Sequence, residues 1–183
     1  ILLEVEALPA HTGDHQGLRR GAKLSCGGAF NCLISGARLG ATAAPVGFVD
    51  LPDVDSLTSF MLRSATSFGF VSEGIIPLRG YKTPSCAVLV EQHGDHTFLS
   101  SNEKGNSNRG ALDPKHLCLT DAMFDVLRRS QNFVVDGYAC AGDSDIVDSA
   151  LSVVDSIGEG RLWVDPQALA CTMPSSPTLQ RAL

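Results

Sequence analysis

The residue types that could do chemistry are concentrated in one short stretch, Ser25-Cys26-Gly27-Gly28-Ala29-Phe30-Asn31-Cys32. Paired glycines between an extended segment and a helix let the backbone approach a ligand closely, and the helix N-terminus then offers N–H donors. Asn31 is placed either to cap that helix or to turn outward and bind hydroxyls. The spacing is neither the G-x-G-x-x-G of a dinucleotide site nor the G-x-x-x-x-G-K-[ST] of a phosphate loop, and by itself it reads as a tight turn with a cap. Other constellations have plainer readings. His11 and His15 are four apart and His93 and His96 flank a turn, but neither pair has a third metal ligand nearby, so both read as loop histidines. Asp143, Asp145 and Asp148 suit the positive end of a helix, and Asp50, Asp53 and Asp55 read as a solvated loop with a cap at Asp53 or Asp55. No cysteine has a base beside it in sequence, and Trp163 reads as core.

The elements that must position these residues follow from the apolar pattern. Residues 2–8 read as a strand closed by Pro9, 10–21 as a polar loop and 22–26 as a short strand. Residues 31–39 form a small-residue helix stopped by Gly40 at the left-handed C′ position, and 43–49 a buried strand. Leu57, Phe60, Met61, Ala65 and Phe68 fall at helical spacing, predicting a helix over 55–68. Residues 85–91 and 96–100 read as a hairpin joined by Gln92-His93-Gly94-Asp95, and 102–110 as a surface loop. Helices at 120–130 and 144–157 then alternate with buried strands at 132–137 and 161–165, the second helix turning 146, 147, 150, 151, 154 and 157 inward. Continuous apolar strands separated by amphipathic helices indicate a parallel α/β sheet, while the early strands and hairpin suggest a small separate sheet.

Composition narrows the function classes. The 183 residues are 44% apolar and 19% charged with a net charge of -6, which argues against binding a nucleic-acid backbone. No apolar run approaches the ~18 residues that span a bilayer. Six cysteines without a C-x-x-C pair are expected to be reduced and mostly buried, pointing to an intracellular compartment, the cytoplasm or a plastid. Ile1-Leu2-Leu3-Glu4-Val5-Glu6 reads as a strand already under way, so a cut chain is expected.

The order of these motifs resembles the N-terminal half of ribokinase-like (phosphofructokinase-B, pfkB) carbohydrate kinases. The resemblance is carried by Gly27-Gly28-x-x-Asn31, the sequel Ala37-Arg38-Leu39-Gly40, and Ala44-Pro45-Val46-Gly47. It continues through the segment 86–98, similar to that family's D-x-x-G-E-R-T-F hairpin, and through Val134-Val135-Asp136-Gly137-Tyr138 and Leu162-Trp163-Val164-Asp165-Pro166. It implies a three-layer α/β/α core, incomplete here, with a small β-sheet lid formed by residues 2–8, 22–26 and 85–100. It implies transfer of phosphate from ATP, with Mg2+, to a hydroxyl of a sugar, polyol or nucleoside. Carried over by position, Gly27, Gly28 and Asn31 match substrate-contacting residues, Ala87 lies on a lid strand and could lean over the substrate, and Asp165 ends a core strand near the phosphate path. Tyr138 matches, weakly, a position that is acidic in some members. A homodimer through the lid sheet is a further expectation, with no nucleic-acid or membrane partner.

Departures from the pattern shape the functional expectation. The family's first-strand Asp would fall before Ile1, and its Gly-Asp-Asp-x-x-Gly segment is here Val49-Asp50-Leu51-Pro52-Asp53-Val54-Asp55-Ser56, without the glycines. After Asp165-Pro166 the chain has Gln167 and Leu169 where many members keep Asn and Arg, and no G-x-G-D occurs. That signature holds the family's general base and anion hole, so no catalytic residue is assigned. Phosphoryl transfer needs positioning, charge neutralisation and a base. The expectation is a substrate-binding half, inactive alone and lacking the C-terminal nucleotide-binding portion; the alternative is a catalytically dead relative serving as a structural or interaction protein.

Overall fold

The computed structural model describes residues 1–4, 8, 23–81, 83, 85–100, 117–136, 145–158 and 161–165. These divide into two compact units, one drawn from Ile1–Cys26 and Thr83–Asn108, the other from Gly27–Lys82 and Arg109–Leu183. The architecture is mixed α/β, with four helices and three small sheets among the described residues.

The first unit is a sheet of order β1–β4–β5, built from β1 Leu2–Glu4, β4 Cys86–Val90 and β5 His96–Ser100. β1 runs parallel to β4 with Leu3 opposite Leu89, and the Ile1 ammonium donates to the Cys86 carbonyl at 2.6 Å. β4 and β5 form the antiparallel hairpin expected from the sequence, closed where the Glu91 N–H donates to the Asp95 carbonyl at 2.9 Å. Strand alternation puts Val88 and Phe98 on one face and Ala87, Leu89 and Leu99 on the other. Phe98 and Leu99 are both exposed, so each face carries apolar surface open to solvent. The strand expected at 22–26 does not extend as a ladder: Lys23 makes an isolated bridge, and 24–27 run unpaired into the glycine turn. Residues 5–7 of the expected first strand lie outside the described residues.

The second unit holds all four helices: α1 Ala29–Arg38, α2 Ser56–Ser67, α3 Asp121–Arg129 and α4 Asp145–Ile157. Three of the boundaries have a clear local cause. Of the two candidate caps for α2, Asp55 is the one used; its carboxylate accepts the Leu57 and Thr58 N–H groups at 3.1 Å and the Thr58 hydroxyl at 2.7 Å. Thr120 caps α3, whose last turn carries Arg128 and Arg129, where cations favour the helix dipole. At the end of α1 the Ala41 N–H returns to the Gly36 carbonyl and the Gly40 N–H to the Ala37 carbonyl, the paired bonds of a Schellman stop.

Two parallel strand pairs accompany the helices: β2 Gly47–Val49 with β3 Ile75–Pro77, and β6 Asn132–Asp136 with β7 Arg161–Asp165. β2 is shorter than the expected 43–49 at its N-terminal end: pairing with the three-residue β3 starts at Gly47 opposite Ile75, and Pro45 before it has no N–H to offer a ladder. β3 itself was not anticipated, since two isoleucines between glycine and proline are too few to show a period. Gly74 makes the pairing feasible: a Cβ there would stand 2.6 Å from the Pro45 carbonyl oxygen.

The largest core cluster packs α3 (Met123, Leu127) and α4 (Val153, Val154) on Phe133 of β6, with Phe48 and Ile76 against it. A second joins Ala43, Val49, Phe70 and Ile75 to the inner faces of α1 and α2. Leu151 of α4 meets Val135, Leu162 and Val164, so the β6–β7 pair buries one face under helices as its apolar pattern requires. Two expectations are corrected. Cys26 and Cys86 are half-buried and Cys32 and Cys118 exposed, all four unpaired; Cys32 falls on the outer face of α1, opposite Leu33 and Ile34. Trp163 is 56% exposed rather than core, because alternation sends it to the opposite face of β7 from Leu162 and Val164. Cys140 and Cys171 lie outside the described residues.

Candidate functional site

The glycine pair is the hinge of the site. The Phe30 N–H donates to the Gly27 carbonyl at 3.2 Å, closing a four-residue turn whose first central residue is Gly28. Gly28 has φ 56° and ψ -138°, close to type II′ geometry, which glycine adopts without a steric penalty. The Asn31 N–H then donates to the Gly28 carbonyl at 3.0 Å, and α1 is under way. Gly28 is thus the residue at the cap position. It supplies no capping side chain, and the first turn carries no acidic residue. Asn31 is the third residue inside the helix, exposed, so of its two sequence readings the capping one is excluded.

Negative charge reaches this turn from a different element. Asp136, half-buried, is the last residue of β6, and a Cβ on Gly28 would stand 3.0 Å from its Oδ2. Asp136 is in register with Asp165, the exposed last residue of β7. Neighbours in register on parallel strands project to the same face, so two carboxylates sit side by side at the strands' C-terminal ends, one against the first turn of α1. Open α/β sheets place ligands at this edge. The structure therefore brings Gly28 and Asp165 beside Asp136, with Gly27 preceding Gly28 in the turn and Asn31 in the first turn of α1, all within the second unit. Ala87 belongs to the other unit, half-buried in β4 opposite Leu99.

Asp136 was not singled out from sequence as a site residue, although a signal existed. Phe133-Val134-Val135-Asp136 has the same form as Leu162-Trp163-Val164-Asp165, an apolar strand that ends in a carboxylate. The remaining candidates have structural surroundings. Asp50 is buried and accepts the Leu51 N–H at 2.8 Å, and Asp145 and Asp148 lie in the first turn of α4. His93 and His96 are exposed at the hairpin, His96 lying edge-on to Phe98 with ring centroids 5.1 Å apart. His11, His15, Tyr138, Asp143, Gln167 and Leu169 lie outside the described residues.

Chemically, the edge offers carboxylate acceptors from two strands and an amide that both donates and accepts, a set suited to a polyhydroxyl compound. Among the described residues no three His, Cys, Asp or Glu side chains converge, and the helix N-terminus that would attract a phosphate already faces Asp136. No described helix is long and apolar enough to cross a membrane.

No protein-family model and no curated protein matches the sequence. Solved structures do match. Fructokinase from Xylella fastidiosa superposes with a TM-score of 0.64 at 20% identity, covering 99% of this chain and 54% of its own. An E. coli protein described as a ribokinase II, in complex with ATP and Mg2+, gives 0.66 at 20% identity, covering 99% and 55%. Arabidopsis thaliana ribokinase, complexed with ribose and ATP, gives 0.63 at 16% identity, covering 89% and 48%. These likenesses establish the fold: the chain has part of a ribokinase-like fold and spans about half the length of the structures it matches.

Proposed function

We propose that this chain is the substrate-binding part of a carbohydrate kinase, a protein that transfers the γ-phosphate of ATP, with Mg2+, to a hydroxyl of a sugar or related polyol or nucleoside. The observation that carries the reading is the juxtaposition of the Gly27-Gly28 turn with Asp136 and Asp165 at the C-terminal edge of a parallel strand pair. It occurs in a fold shared with ribokinase and fructokinase structures. Gly27, Gly28, Asn31 and Asp165 would contact substrate, joined by Asp136. The second unit is the incomplete three-layer α/β/α core and the β1–β4–β5 sheet the accessory lid, with Ala87 its substrate-facing residue. The open apolar faces of that sheet support a homodimer through it. An intracellular protein is expected.

The 183 residues by themselves bind substrate and do not turn ATP over, because no G-x-G-D is present to supply a base and anion hole. Titration calorimetry of the chain with ribose, fructose and adenosine tests the first part; failure of all such hydroxyl compounds to bind removes the reading. Coupled assay of ATP consumption with the same compounds tests the second, and turnover would refute it.

One observation favours a second reading, a binding or scaffold protein without kinase activity. Asp50 is hydrogen-bonded to its own turn and Asp55 caps α2, so the segment replacing the family's Gly-Asp-Asp-x-x-Gly has carboxylates committed to structure. Sugar binding without turnover by any longer form of the chain would decide for it.

A further inference from the structure

We draw no further inference here: the strongest candidate, the exposed apolar patch that Val134 and Trp163 form in register on the open face of the β6–β7 pair, carries none because nothing in the structure shows what covers it.

Discussion

Replacing Gly28 by alanine perturbs the backbone and the charge placement of the site together. At φ 56° and ψ -138° an L-residue is strained, a cost of about 1–3 kcal/mol. The new methyl would also stand 3.0 Å from Asp136 Oδ2, tighter than ordinary contact, so the carboxylate must move by a few tenths of an ångström. Alanine restricts the unfolded chain and returns about 0.4–1 kcal/mol, so the net loss is about 1–2 kcal/mol. For a domain of this size that lowers the thermal midpoint by roughly 2–8 °C. All four helices belong to the unit that contains Gly28, so circular dichroism at the helix band reads the relevant transition. Repeating the substitution in an Asp136→Ala background separates the two contributions: the backbone strain persists, while the contact with the carboxylate disappears and the cost falls by about 0.5 kcal/mol or more. A Gly28→Ala chain as stable as the original, or more stable, would refute the turn geometry. An identical cost in both backgrounds would refute the Gly28–Asp136 contact.

Other expectations follow from single residues. Gly74→Ala should cost about 1–3 kcal/mol or more, since its Cβ would meet the Pro45 carbonyl oxygen at 2.6 Å and push β3 from β2; an unchanged urea midpoint would contradict that pairing. Met123→Ala, at a fully buried position in the largest core cluster, should cost about 2–5 kcal/mol in the same assay. Asp55→Ala removes the α2 cap and leaves the fully buried Thr58 hydroxyl without that acceptor, for a loss of about 1–2 kcal/mol; Asp53→Ala should be near neutral, and reversed results would reassign the cap. Acrylamide should quench Trp163, the sole tryptophan, readily, and a shielded Trp163 would contradict the open face of β7.

Much of the fold was legible because its signals are local. Helical spacing over 55–68 and 144–157, the Gly40 stop and the Gln92-His93-Gly94-Asp95 turn each act within a few residues. The strands at 132–136 and 161–165 were legible as apolar runs bounded by polar residues. β3 was not legible, since Ile75 and Ile76 become a strand only through a close approach that Gly74 permits. The exposure of Trp163 and Cys32 depended on which face of an element met the helices or the sheet, and residue type alone argued the other way.

The candidate site divides along the same line. The chain by itself determined that Gly27 and Gly28 make a turn into a helix, because glycine takes without steric cost the positive φ that Gly28 adopts, and that Asp165 ends an apolar strand. Only the tertiary structure decided what faces that turn. Asp136 is 108 positions from Gly28 in the chain and touches it because α1 packs beside β6, while the register of β6 with β7 sets Asp165 next to Asp136. Contacts of this length depend on how helices and strands fill a shared core, a property of the whole packing that no short window of sequence contains.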